Sequence, residues 1–282
     1  MDNFKTLFRL YFIYAKMDLL WFLRDLRYCL LFIVGDVVSN LASVTGVFLL
    51  AMRFEGFGEM NQAQLLFMLG YGSLVNGIYG LFFANSNTGM ISRIIGRGQL
   101  DQYMIQPTPF WIQMITEGVA PFTGSGVLIM GIALTSYAVV KLELVISVWW
   151  ICKLIISVIC SAIVIVSCIY IVSYLAFYAP SAAEEISMVV QDMFFSLRSY
   201  PLGGISIFLQ SLFCTAIPIG IVAWFPSMIL LEKQIAFTKI NGLFILWMVT
   251  AIFLTTAVSL FCKGLKHYRK NGSPRYSSFG RH

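Results

Sequence analysis

A chain of 282 residues that is 59% hydrophobic and only 11% charged cannot cover itself with a water-compatible surface. Its mean hydropathy of +0.83 places most of it in lipid. The net charge of +6 does not point to nucleic acid: the Lys and Arg residues form no aromatic-interleaved patch, and they gather where helices should end. The expected fold is all-α, a polytopic membrane protein.

Residues 1–27 come first. Lys5, Arg9, Lys16, Arg24 and Arg27 interrupt the apolar residues, and no small-residue cleavage site follows, so the segment does not read as a cleavable signal peptide. Phe4, Leu7, Phe8, Tyr11, Phe12, Met17, Leu20 and Leu23 recur at helical spacing. That pattern predicts an N-terminal amphipathic interfacial helix on the cytoplasmic membrane surface. The alternative is a plain extension of the first span into water.

Crossing about 30 Å of hydrocarbon takes about 20 apolar residues. Runs of that kind lie near Tyr28–Met52, Ala63–Phe83, Gly118–Val140, Val148–Tyr178, Ile205–Trp224 and Asn241–Cys262, predicting six transmembrane helices within 28–262. The fourth run is long for one span and is expected to tilt or to continue into the cytoplasm. Pro218 should kink the fifth. The apolar stretch Phe225–Lys233 behind it is too short to cross and is expected to dip into the membrane and return.

Orientation follows from the basic residues. With the N-terminus inside, the inner segments carry the five basic residues of 1–27, then Arg93, Arg97, Arg198 and the basic tail 263–282. The outer loops carry only Arg53, Lys141, Lys233 and Lys239, with Lys153 able to snorkel outward as an interfacial anchor. Both termini are therefore expected in the cytoplasm. Two inner segments, about 86–114 and 180–200, are themselves amphipathic. The first contains Arg93, Arg97, Asp101 and Tyr103 and ends at Pro107; the second sets Glu184, Glu185 and Asp192 among apolar residues. Each predicts a helix at the cytoplasmic surface.

Catalytic chemistry does not show itself. The two histidines, His267 and His282, both sit in the tail, so no HExxH metal site exists. Neither a GxSxG elbow nor a GxxxxGK[ST] phosphate loop is present, so the chain is not expected to be an enzyme or to bind ATP in the P-loop manner. The six cysteines form no CxxC pair and read as helix-packing residues, with no metal or disulfide role. Asp36, inside the first span, has two readings: a structural bond to a neighbouring helix, or a place on a substrate path. Gly70, Ser73, Gly77 and Gly80 put small residues on one face of the second span, with Asn76 beside them. That face suits either packing within the subunit or a narrow pathway or dimer surface.

Three stretches together resemble a known family. They are Ile94-Ile95-Gly96-Arg97-Gly98-Gln99-Leu100-Asp101-Gln102-Tyr103-Met104-Ile105-Gln106-Pro107; Tyr200-Pro201-Leu202 with Ile217-Pro218-Ile219-Gly220 and Trp224-Phe225-Pro226; and Gly264-Leu265-Lys266-His267-Tyr268-Arg269. In their order and topology they resemble the permease subunits of ABC-2-type exporters, the small six-helix bacterial kind without a fused ATPase. Lys270-Asn271-Gly272-Ser273 departs from the small-residue pair common there. The resemblance implies a bacterial plasma-membrane exporter of two permeases, identical or related, driven by separate ABC ATPase subunits. ATP and Mg would then be bound by the partner ATPase, with no cofactor on this chain and no nucleic-acid partner. It also implies ATPase coupling through Arg93, Arg97, Asp101 and Tyr103, with Glu184 and Glu185 as a second contact. Asp36 and Asn76 remain candidates for the substrate path. Two other classes fit the residues: an ion- or proton-coupled secondary transporter using Asp36, and a non-transporting membrane interaction protein.

Overall fold

The computed structural model describes residues 2–53, 59–83, 91–116, 119–122, 125–233 and 240–272, and no strand occurs among them. Expectations that fall on residues 86–90, Gly118, Lys239 and 273–282 lie outside the described residues. In chain order the helices are α1 (Asp2–Arg24), α2 (Leu26–Arg53), α3 (Gln62–Phe82), α4 (Ile91–Gly96), α5 (Leu100–Met104) and α6 (Phe110–Thr116). They continue with α7 (Ser125–Lys141), α8 (Val148–Ser173), α9 (Pro180–Leu197), α10 (Ile207–Thr215), α11 (Trp224–Leu230) and α12 (Gly242–Asn271). Four stretches are long and apolar enough to cross a membrane: Leu26–Leu50, Gln62–Phe82, Val148–Phe177 and Gly242–Asn271. α7 is equally apolar in character but shorter, at 17 residues, roughly 25 Å of helix.

α3 is the hub. It starts on a capping box in which Asn61 Oδ1 accepts from Gln64 N (2.9 Å) and Gln64 Oε1 from Asn61 N (3.1 Å). Along its length 78% of its apolar window is buried. α7 runs antiparallel against it at backbone contact. A Cβ on Gly70 would come within 2.7 Å of the Thr135 backbone nitrogen, one on Gly131 within 2.5 Å of Leu74 N, and one on Gly77 would collide with Leu128. Gly70, Ser73 and Gly77 thus pack within the subunit, the two glycines on α7 and Ser73 Oγ on Asn40 of α2 (3.2 Å), whereas Gly80 lines an open cavity. Across the other face, Tyr71 meets Ser161 of α8 (hydroxyls 3.0 Å apart).

The fifth apolar run departs from the continuous kinked span expected over Ile205–Trp224. Ser206 caps α10, which ends after nine residues, and residues 216–223 turn back before α11 begins. Pro218 cannot donate to a helix, and Gly220 fits where a Cβ would strike Cys214 and Leu202. The turn is buried from Pro218 onward, and the Ile221 carbonyl accepts from Ser161 Oγ at 2.8 Å. Irregular backbone deep in an apolar bundle is tolerable only when protein groups satisfy it.

α9 is a second departure. The sequence predicts an amphipathic helix at the cytoplasmic surface over 180–200. Instead it runs lengthwise: Glu184 meets α4 at one end, Phe195 packs on Tyr79 (ring centroids 5.2 Å), and Arg198, 6% exposed, donates to the Gly72 carbonyl at the middle of α3. Arg198 is therefore an interior charge, not a loop charge at the bundle end. Ala223, at the start of α11, touches the same Gly72, and α11 continues to the opposite end, where Trp150 Nε1 donates to the Leu230 carbonyl (3.1 Å). α9 and α11 together run the length of α3, interrupted by the α10 excursion. Lys153, expected as an interfacial anchor, pairs with Glu232 beside that end (3.5 Å).

A second, smaller core closes the α4 end. Ile91, Ile95 and Leu100 are fully buried there against Ala176, Phe177 and Tyr268. Gly264 on α12 leaves room for the Phe177 ring. α12 is unbroken from Gly242 to Asn271, so its last turns belong to this core and not to a separate tail beginning at 263. α1 docks at the same end: Tyr11 donates to the Ile115 carbonyl of α6 (3.4 Å), and Asp18 accepts from Phe122 N (2.7 Å). Phe4, Phe8 and Phe12 are left exposed on one stripe.

Candidate functional site

Two sites emerge. The first is the junction of α4 with α9. Arg93 Nε lies 3.1 Å and Arg97 Nη2 3.8 Å from the same Glu184 oxygen. Residues singled out separately in the two amphipathic segments are thus brought together. All three side chains are partly exposed, and such pairs contribute about 0–1 kcal/mol. The apolar floor beneath them decides the stability: each fully buried Ile, such as Ile91 or Ile95, is worth about 1.5–3 kcal/mol. The ion pair sets register, and the floor holds. Tyr103 is half-buried against that floor, whereas Asp101 and Glu185 remain exposed. The outward face therefore offers Arg97, Asp101 and Glu185 on a rigid base.

The second site is a cavity of about 400 Å³ between α2, α3 and α9, open to one side of the bundle. Asp36 and Asn76 both line it, so the two candidate path residues meet. With them are Asn40, Gln191 and Arg198. Asn40 is 6% exposed; its Oδ1 accepts from Ser73 Oγ, and its Nδ2 is buried without a hydrogen-bond partner. Arg198 Nη1 donates to Gly72 O and its Nε to Phe195 O (3.0 Å). Asp36 is exposed on α2 and makes no ion pair among the described residues. Among the described residues no three His, Cys, Asp or Glu side chains gather to hold a metal ion.

Sequence reasoning missed Asn40, Gln191 and Arg198. The signal was present: Asp36, Ser39, Asn40 and Ser43 follow the i, i+3, i+4, i+7 rule along an otherwise apolar helix, and Gln191 and Arg198 sit two turns apart on α9.

A polar cavity in an all-helical, lipid-compatible bundle suggests transport, and a family comparison decides the class. A family model described as ABC-2 family transporter protein matches residues 37–272. The chain belongs to the ABC-2 transporter family. It is a membrane protein of that family. The match takes in α3 through α12 and most of α2, but not α1, and it begins one residue after Asp36. No curated protein and no solved structure matches this ABC-2 protein significantly. Within the family frame, the α4–α9 junction and the cavity are where the residues singled out in the sequence come together.

Proposed function

We propose that this ABC-2 protein is the permease subunit of an exporter in a bacterial plasma membrane. It forms the export path with a second permease and is driven by separate ABC ATPase subunits that bind ATP and Mg. The observation that carries this reading is the cavity. A carboxylate that faces lipid in mid-span costs about 2.5–3.5 kcal/mol on insertion scales, yet Asp36 is exposed on the surface of the single chain. A second permease laid over α2, α3 and α9 removes that cost and encloses a polar path.

The topology fits. α2, α3, α7, α8, the broken α9–α11 pair and α12 supply six crossings. α1, α4 and the end of α12 share one end of the bundle, which carries Arg93, Arg97, Lys263, Lys266, Arg269 and Lys270. Basic residues collect on the cytoplasmic side, so that end, with both termini, is assigned inside. The exposed Phe4, Phe8 and Phe12 stripe on α1 then lies in the lipid interface. Arg97, Asp101 and Glu185, with Arg93, Tyr103 and Glu184 behind them, form the surface that receives work from the ATPase.

The test is a mild-detergent pull-down of the tagged chain from its native membrane, with bound proteins identified by mass spectrometry. A soluble P-loop protein with the ABC signature is expected, recovered with wild type and lost with the double variant Arg97→Ala, Asp101→Ala. A clean preparation with no ATPase, together with gradient-dependent transport abolished by Asp36→Asn, would replace this reading with an Asp36-coupled secondary transporter.

A further inference from the structure

We propose that the cavity selects a cationic amphiphile and that Asp36 is the residue that recognises its charge. The inference rests on the permease reading above and names the cargo class for the same site. Two side chains charged at neutral pH line the cavity, Asp36 and Arg198, and they are not equivalent. Arg198 is 6% exposed, with Nη1 given to the Gly72 carbonyl and Nε to the Phe195 carbonyl. Two of its five N–H donors thus tie α9 to α3 and to its own last turn and fix the guanidinium in the wall. Asp36 stands on the open side with no cationic partner among the described residues. In a low-dielectric setting an unpaired carboxylate attracts a cation far more strongly than it would in water.

The neighbours of Asp36 refine the class. Asn40, one turn further along α2, lines the same cavity and adds polar wall beside Asp36. Phe32 and Val127 supply apolar wall, which suits the hydrocarbon part of the molecule.

The probes are tetraphenylphosphonium and tetraphenylborate, which share shape and apolar surface and differ in the sign of a permanent charge. Binding of each is measured on the full-length purified chain in a nonionic detergent, with micelle-only controls subtracted. Wild type should bind the phosphonium at least about tenfold more tightly than the borate, the scale of one favourable ionic contact. Asp36→Asn should erase that preference and Asp36→Glu should keep it, with Glu143→Gln, a remote carboxylate, behaving as wild type. Equal affinities, a preference for the borate, or phosphonium binding unchanged by Asp36→Asn would overturn the assignment. If Asp36→Asn does not fold, the wild-type chain decides the matter. Phosphonium should shield Asp36 from modification by dicyclohexylcarbodiimide, followed by mass spectrometry, and borate should not; equal labelling with both overturns the proposal. The two readings fail separately. A co-purifying ATPase with Asp36-independent binding removes the cargo class and leaves the exporter. Asp36-dependent binding without any ATPase supports the cargo class and removes the exporter.

Discussion

α2 and α3 are neighbours of nearly equal hydropathy, 1.7 against 1.5, and of opposite fate: 17% of the α2 window is buried against 78% of α3. Hydropathy measures the transfer from water to an apolar medium, and lipid and protein interior are both apolar. It therefore cannot say which helix faces which. What distinguishes the pair is finer. α3 carries no charged side chain and places glycines where α7 touches it, whereas α2 carries Asp36 on an exposed polar stripe. A helix built for the centre makes itself small on one face. A helix left at the surface of the chain keeps a polar stripe open.

The comparison is most easily broken at its glycines. A Cβ on Gly77 would overlap the Leu128 backbone, which cannot retreat as a flexible side-chain end could, whereas one on Gly46 of α2 meets nothing within 4 Å. Gly77→Ala should cost about 2 kcal/mol or more through overpacking, exceeding the roughly 1 kcal/mol that Ala gains over Gly in a helix. Gly46→Ala should keep that gain. Thermal unfolding in detergent, followed by size-exclusion chromatography, should show Gly77→Ala well below wild type and Gly46→Ala at or above it. Equal Tm values would mean that α3 and α7 do not meet at backbone contact.

Arg198 sharpens the comparison from the cavity side. Hydrogen bonds from a charged donor are worth about 1.5–3 kcal/mol each, and Arg198 ties α9 to both α3 and its own last turn. Arg198→Met keeps the apolar stem and removes the fork. The substitution also removes the desolvation cost of a buried charge, which offsets much of that loss. A lower Tm by an amount intermediate between the two glycine variants is therefore expected, with phosphonium preference over borate retained because Asp36 is untouched. If that preference rises sharply instead, Arg198 contributes to the cavity potential and is not spent on its carbonyls.

These tests also mark how far sequence could lead. The all-helical character and the helical periodicity of α1 and α4 were legible because spacing records which face of a helix is apolar; at the cavity Asp36 and Asn76 stood out in the sequence, whereas Asn40, Gln191 and Arg198 did not. The location of α9 was not legible. Pro180–Leu197 is amphipathic with Glu184, Glu185 and Asp192, which reads as a surface helix, and its lengthwise course is tied by Arg198 to the distant Gly72 carbonyl. Likewise Ile205–Trp224 has the composition of a span. Its break depends on Ser161 accommodating the Ile221 carbonyl and on Gly220 fitting against Cys214, contacts between residues distant in sequence. Long-range satisfaction of polar groups leaves no local pattern.

The smallest expected effect separates holding from steering at the α4 end. The contacts of Glu184 with Arg93 and Arg97 are partly exposed, so Glu184→Gln should lower stability by at most about 1 kcal/mol, and less in high salt. The apolar floor of Ile91, Ile95 and Phe177 remains and keeps α4 in place. Coupling should respond more than stability does. With one carboxylate gone, Arg93 and Arg97 lose one contact that orients them, and under the proposed coupling role α4 loses a tie between its charged face and the lengthwise rod of α9. Measured on the assembled complex, ATP hydrolysis should lose its stimulation by cargo while Tm barely moves. Loss of both together would show that the ion pair holds the junction and does not merely orient it.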